Sequence, residues 1–239
     1  MLIAAAVCPH PPLLIPAATG APGAGDAELD RLRAACHQAV AALLTERPDL
    51  LVVAGGAGRT TEYPPHTPGR LHDFGVPFTV GRGGQDVPTL PLSLTIGKWL
   101  LSRADPRTSP PRAAWWGIAS DAPPAECLQL GEKFAALAPR VALLAMGDGP
   151  ARRARAAPDA ADPEADRYDE QVADALAAAD PGALAALDPG QDRPLEFAGR
   201  AACHVLAGAA GRDAFHAELR YCGAPFEVSY VVASWRRAH

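Results

Sequence analysis

The chain has 239 residues, of which 49% are hydrophobic and 21% are charged, and its formal net charge is −5. This composition predicts a globular protein with a sizeable core and argues against disorder. The negative charge gives no electrostatic reason to expect a nucleic acid or an anionic membrane surface as partner, and no apolar run reaches the roughly 20 residues that cross a bilayer. No basic segment or cleavage site flanks the apolar N-terminus, so we predict a cytoplasmic protein.

Short apolar runs alternate with helical repeats along the chain. In chain order, the first half predicts a strand at 2–7, a helix at 26–46, a strand at 50–54 that ends in a glycine turn at 55–58, a long loop at 60–84 with an extended piece at 76–80, and a helix at 91–102. The second half predicts a strand at 113–119, a helix at 124–137, a strand at 141–146, a mobile loop at 154–163, helices at 163–178, 181–187 and 191–210, and a strand at 228–235. Such alternation predicts an α/β fold in three layers, with a central, mainly parallel sheet and helices on both faces.

The first predicted strand runs into a histidine between prolines, in the segment Cys8-Pro9-His10-Pro11. In open α/β sheets, ligands bind beyond the C-terminal ends of the strands. The flanking prolines fix φ and remove backbone donors, so His10 lies on a stiff loop. This position suits metal binding or proton transfer. The alternative is a histidine that only caps the strand.

The five cysteines are scattered and form no CxxC pair, so neither a disulfide framework nor a zinc knuckle is predicted. The glycines at 55, 56 and 58 fit neither a dinucleotide-binding fingerprint nor a P-loop spacing. The sequence therefore gives little support for a nucleotide cofactor.

Three segments carry a family resemblance, namely CPHPPLLIP at 8–16, LLAMGDG at 143–149 and YCGAPFEVSYVVA at 221–233. Together they resemble the LigB-like family, the catalytic-subunit family of class III extradiol ring-cleavage dioxygenases, and within it the domains related to the Memo proteins. Their order covers nearly the whole chain. The resemblance therefore implies one LigB-like α/β domain over residues 1–239.

The resemblance implies a non-heme iron site in which two histidines and a carboxylate bind Fe²⁺ and a further histidine acts as acid and base. The facial arrangement of ligands leaves positions open for a catecholate and dioxygen. His10 matches the first iron ligand. Ala57 stands where the resemblance places the second histidine, and Ala151 stands where it places the acid–base histidine. One imidazole alone binds iron too weakly for this chemistry.

Several residues could replace the missing ligands. His66 and His72 lie in the long loop after Ala57, although loop histidines are usually solvated. Cys222 lies where Memo-type members carry a cysteine, and Glu227 offers a carboxylate near the last strand. The predicted metal ligands are therefore His10 with Cys222, Glu227 or His66.

Because most of these residues follow predicted strands, we expect one binding cleft at the C-terminal edge of the sheet. Its members are His10, Gly56, Ala57, Gly147, Asp148 and either Cys222 or Glu227.

The sequence leaves alternative functions open. One is an extradiol dioxygenase-like oxidoreductase with altered metal chemistry, using Fe²⁺ or another divalent ion and a small aromatic substrate. Another is a binding or scaffold protein that holds no metal. A third is the inactive subunit of a hetero-oligomer; a homo-oligomer is equally open. Whether the chain is an enzyme is undecided at this point, and ordinary extradiol activity is not expected because Ala57 and Ala151 replace reactive groups.

Overall fold

The computed structural model of this chain contains a seven-stranded sheet, and its central strands are rich in alanine, valine and leucine. The structure describes residues 1–19, 27–83, 87–105, 112–149, 163–187, 199–224 and 228–238. The strands are β1 (Leu2–Cys8), β2 (Leu50–Ala57), β3 (Thr61–Tyr63), β4 (Gly69–Arg70), β5 (Thr79–Val80), β6 (Ala113–Ala119), β7 (Val141–Met146), β8 (Phe215–Gly223) and β9 (Tyr230–Arg237). The helices are α1 (Ala27–Thr45), α2 (Leu92–Ser102), α3 (Pro124–Ala135), α4 (Pro163–Ala178), α5 (Pro181–Ala185) and α6 (Arg200–Ala210).

The large sheet has the strand order β3-β6-β2-β7-β1-β9-β8, and β4 pairs with β5 in a separate small sheet. Its centre is parallel: β2 pairs in parallel with β6 and β7, and β7 pairs in parallel with β1. The outer strands β3, β9 and β8 join antiparallel. In β8 a register shift between Leu219 and Tyr221 leaves Arg220 as a bulge, and its side chain bonds Ser234 Oγ at 2.6 Å.

Successive side chains along the central strands point to opposite faces of the sheet, so the core has two layers. In β1, Leu2, Ala5 and Val7 face the side that α3, α4, α5 and α6 cover. Ile3 and Cys8 face the opposite side, which α1 and α2 cover. Helices therefore pack on both faces of the sheet, and the three-layer α/β prediction is confirmed.

The helices α3 and α6 touch through their backbones at a pair of glycines. A Cβ on Gly131 would lie 2.6 Å from Ala209 N and closer still to Val205 O. A Cβ on Gly208 would lie 2.7 Å from Leu128 C. Because each contact is with main-chain atoms, only glycine allows the two helices to approach this closely.

Several predicted elements need correction. The glycine turn at 55–58 is wrong, because β2 continues through both glycines to Ala57. A Cβ at Gly55 would lie 2.7 Å from Ser93 Cβ, so glycine lets α2 pack against this strand. The sequence analysis also missed β8 and placed β3 within a loop. The predicted mobile loop at 154–163 and the start of the helix at 191–210 fall outside the described residues.

Candidate functional site

Three neighbouring parallel strands end together and place loop residues at one edge of the sheet. Cys8 of β1 pairs with Met146 of β7, and Met146 pairs with Gly55 of β2. The ladder continues one step further, because Gly147 N–H donates to Cys8 O at 3.0 Å. His10, Asp148 and Ala57 therefore each lie two residues beyond this shared register.

His10 and Asp148 are in direct contact at this edge. The main-chain N–H of His10 donates to Asp148 Oδ1 at 2.6 Å, and His10 Nδ1 lies 3.5 Å from the same oxygen. His10 is only 6% exposed, and its Nδ1 makes no hydrogen bond to any described residue. The Nδ1 contact is therefore electrostatic. The loops after β1 and β7 are tied together by the main-chain bond.

Antiparallel pairing brings the start of β9 to the same edge, because Tyr230 is its first residue. Tyr230 is 5% exposed, and burial together with the nearby charge of Asp148 raises the pKa of its phenol. On the α1 side, burial, contact with Cys8 and the charge of Asp148 raise the pKa of the Cys36 thiol. Both groups are therefore neutral and protonated at pH 7. We call His10, Ala57, Gly147, Asp148 and Tyr230 the sheet-edge site.

Close packing leaves little room behind the sheet-edge site. A Cβ on Gly147 would lie 2.6 Å from Gly199 Cα, at the start of α6. On the α2 side, Ser93 Oγ donates to Gly56 O at 2.7 Å. Ala57, where the family resemblance places a histidine, contributes a buried methyl group with no lone pair. The packed side of the site is thus shaped by small residues.

The other predicted ligands are exposed or fall outside the described residues. His66 and His72 are exposed in the segments around β4. Cys222 is exposed on β8 and lines an open cavity of about 540 Å³ beside Asp169, which His10 and Asp148 do not line. Glu227 and Ala151 are not among the described residues.

The donor set at the sheet-edge site does not match the iron ligands that the family resemblance implies. Within the described ranges, no three histidine, cysteine, aspartate or glutamate side chains come close enough together to hold a metal ion. His10 and Asp148 supply one imidazole and one carboxylate, whereas a facial triad requires a second imidazole. The described residues therefore fit hydrogen bonding and proton transfer better than iron coordination.

The sequence did not predict Tyr230 and Cys36 as groups close to Asp148. Tyr230 lies at the start of the final strand, and only an antiparallel return of that strand brings its start to the C-terminal edge of β1. Cys36 lies on the buried face of α1. Finding these two residues from the sequence would have required knowing the direction of β9 and the position of α1.

Comparison with known proteins shows the fold. The chain matches the crystal structure of the uncharacterized protein JW3007 from Escherichia coli K12 with a TM-score of 0.52 and 16% sequence identity. The match covers 98% of this chain and 99% of that chain. No protein-family model matches the sequence, and no curated protein does. Among the described helices, none combines the length and apolar character that a membrane span requires.

Proposed function

We propose that this chain is a LigB-like protein whose sheet-edge site binds a small aromatic molecule through His10 and Asp148, with the family's ring-cleaving iron chemistry lost. The observation that supports this most is the contact between a buried histidine and a carboxylate at the C-terminal edge of a parallel sheet. Ligands of α/β proteins bind at such edges. A buried imidazole beside a carboxylate is a common acid–base arrangement.

The chemistry of the pair follows from its geometry. A carboxylate near Nδ1 favours the tautomer that carries its proton on Nδ1, which leaves the lone pair on Nε2. In this tautomer Nε2 can accept a hydrogen bond or a proton from a phenolic hydroxyl. Asp148 also accepts the main-chain N–H of His10, and this hydrogen bond anchors the loop that carries the imidazole. Tyr230, whose pKa is raised, offers a neutral hydroxyl nearby.

The loss of iron chemistry is proposed from the residue types. A methyl group at Ala57 can neither bind a metal nor move a proton. Any metal site would need donors from residues such as Glu227, which the structure does not describe. The proposed binding therefore depends on protein groups alone.

The test uses 4-nitrocatechol, because its absorbance changes when a hydroxyl loses its proton. We expect the wild-type protein to bind it with a spectral shift. His10→Gln keeps a polar side chain of similar size but cannot take the proton, so we expect about tenfold weaker binding and no shift. His216→Gln, at an exposed position on β8, is the matched control and should behave like the wild type. Thermal melting of each variant checks that it is folded.

Two results would overturn the proposal. Equal binding and an equal shift in His10→Gln would remove the sheet-edge site as the binding site. Ring cleavage of protocatechuate in air by Fe²⁺-loaded wild-type protein, with stoichiometric iron by elemental analysis, would restore the dioxygenase function. If the His66→Gln variant then lost both iron and activity, His66 would be the replacement ligand.

A further inference from the structure

A second pocket lies on the face of the sheet that α1 and α2 cover. Its volume is about 270 Å³, and it is lined by Ile15, Pro16, Ala17, Arg33, His37, Phe78, Trp99 and Arg103. We call it the basic pocket. Of the described residues that line it, none belongs to the sheet-edge site and none is acidic.

Arg33 forms a fixed cationic wall of the basic pocket. Its guanidinium donates to Leu14 O at 2.9 Å and Leu13 O at 2.7 Å, and to Asp30 Oδ1 at 2.8 Å. Its side chain is only 14% exposed. Three of its five N–H donors are used by these bonds, so the group is held in place and two donors remain.

Arg103 adds a positive charge that no described residue pairs with, and His37 adds a neutral imidazole that can donate one hydrogen bond. Arg103 follows the end of α2 and is exposed, and no described residue accepts a hydrogen bond from its side chain. Burial and the charge of Arg103 lower the pKa of His37, which places the guanidinium close to the imidazole. An anion beside the Arg103 guanidinium would gain an electrostatic attraction that no described acidic residue supplies there.

The remaining walls are aromatic and aliphatic. The Trp99 ring packs against His37 with 5.4 Å between ring centroids, and Trp99 is 7% exposed. Phe78 and Ile15 line the same pocket. The pocket therefore places an apolar surface beside cationic donors.

We propose that the basic pocket binds a single-ring aromatic carboxylate, with the carboxylate against Arg103 and His37 and the ring against Phe78 and Trp99. Guanidinium groups bind carboxylates through paired, charge-assisted hydrogen bonds. The volume lies just below the range of about 300–1,000 Å³ typical of small-molecule sites, which favours one ring over two. Two arginines and no acidic residue are among the described residues that line this pocket, and a carboxylate is the partner that Arg103 lacks there.

Isothermal titration calorimetry with benzoate tests this site. We expect benzoate to bind the wild-type protein, and acetate and benzyl alcohol, which lack the ring and the charge respectively, to bind at least about tenfold more weakly. Arg103→Gln, at an exposed position, should weaken benzoate binding about tenfold or more, and thermal melting checks that the variant is folded. His37→Gln should weaken it as well. Arg212→Gln removes an exposed arginine that does not line the pocket and should leave the affinity unchanged.

His10→Gln separates this site from the sheet-edge site. If the basic pocket is the benzoate site, His10→Gln binds benzoate as the wild type does, whatever its effect on 4-nitrocatechol. The inference is overturned if the wild type does not bind benzoate or if Arg103→Gln binds it equally well. It is also overturned if His10→Gln, and not Arg103→Gln, loses the binding.

Discussion

The backbone contact between α3 and α6 gives the sharpest stability prediction. Gly131→Ala places a methyl group 2.6 Å from Ala209 N and closer still to Val205 O, whereas ordinary van der Waals contact begins at 3.4 Å. Main-chain atoms inside a helix cannot swing aside as a side chain can, so the two helices must separate. Their separation disturbs the packing around α6, whose first turn contacts Gly147 of the sheet-edge site.

The expected magnitude is the difference between two opposing effects. Replacing glycine by alanine inside a helix favours folding by about 1 kcal/mol. Overpacking a filled core typically costs about 1–3 kcal/mol, and more where the neighbours cannot move. Because the neighbours of Gly131 are main-chain atoms, the second effect dominates, and we expect a net loss of about 2 kcal/mol in the free energy of unfolding. For a chain of this size such a loss lowers Tm by about 4–8 °C.

Thermal unfolding followed by circular dichroism measures the effect, with Gly208→Ala as its reciprocal partner. The matched control is Gly97→Ala in α2, where the nearest contacts of the added Cβ are side-chain atoms of Val53 and Met146, at 3.0 and 3.3 Å, and not main-chain atoms. This control should change stability by less than about 1 kcal/mol, because those side chains can shift. An unchanged or raised Tm for Gly131→Ala would refute the reasoning and show that the helices tolerate the methyl group.

Three further predictions concern titration, thiol reactivity and a half-buried lysine. The pKa of Tyr230 is raised in the folded chain, so the stability that this shift contributes is present below the unfolded pKa of about 10 and is lost as the pH rises above it. At pH 11 the folded protein should therefore absorb less at 295 nm, where tyrosinate absorbs, than the unfolded protein. Equal absorbance would contradict this. Cys222 is exposed and the other four cysteines are buried, so Ellman's reagent should label one thiol rapidly and four only after unfolding, and Cys222→Ser should abolish the rapid phase. Lys98 donates to two loop carbonyls at 3.0 and 2.7 Å, so Lys98→Met should lower the free energy of unfolding by about 2 kcal/mol in urea titrations, whereas an unchanged midpoint would mean that the loop is held otherwise.

The fully buried strands could be predicted from the sequence, whereas a half-buried edge strand was missed. The runs that became β1 and β7 are continuous and apolar, and such runs have one interpretation in an alternating α/β pattern. In β8, apolar residues alternate with polar ones, at Phe215, Ala217, Leu219 and Tyr221. This alternation is typical of a half-buried edge strand and could have been used to predict β8. In β2 the consecutive glycines suggested a turn, because their packing against α2 depends on the tertiary fold.

Some contacts of the candidate site could also be predicted from the sequence, and others could not. Contact between His10 and Asp148 follows from their positions after neighbouring parallel strands, which sequence patterns can indicate. The approach of Tyr230 depends on the antiparallel direction of β9, and the basic pocket depends on how α1 and α2 pack. Neither has a local signal in the sequence, since each brings together side chains from elements distant along the chain.

The bulge at Arg220 has a consequence for how copies of this protein meet. Within the described chain β8 is the strand at one edge of the large sheet, and it is nine residues long. Such an edge can recruit strands from other molecules and start aggregation. Here the ladder is interrupted at Arg220, whose side chain turns back to Ser234 and forms an ion pair with Glu218. A strand arriving from another molecule would find an irregular, charged edge in place of a continuous one. The strand thus completes the sheet while opposing its growth into an intermolecular assembly.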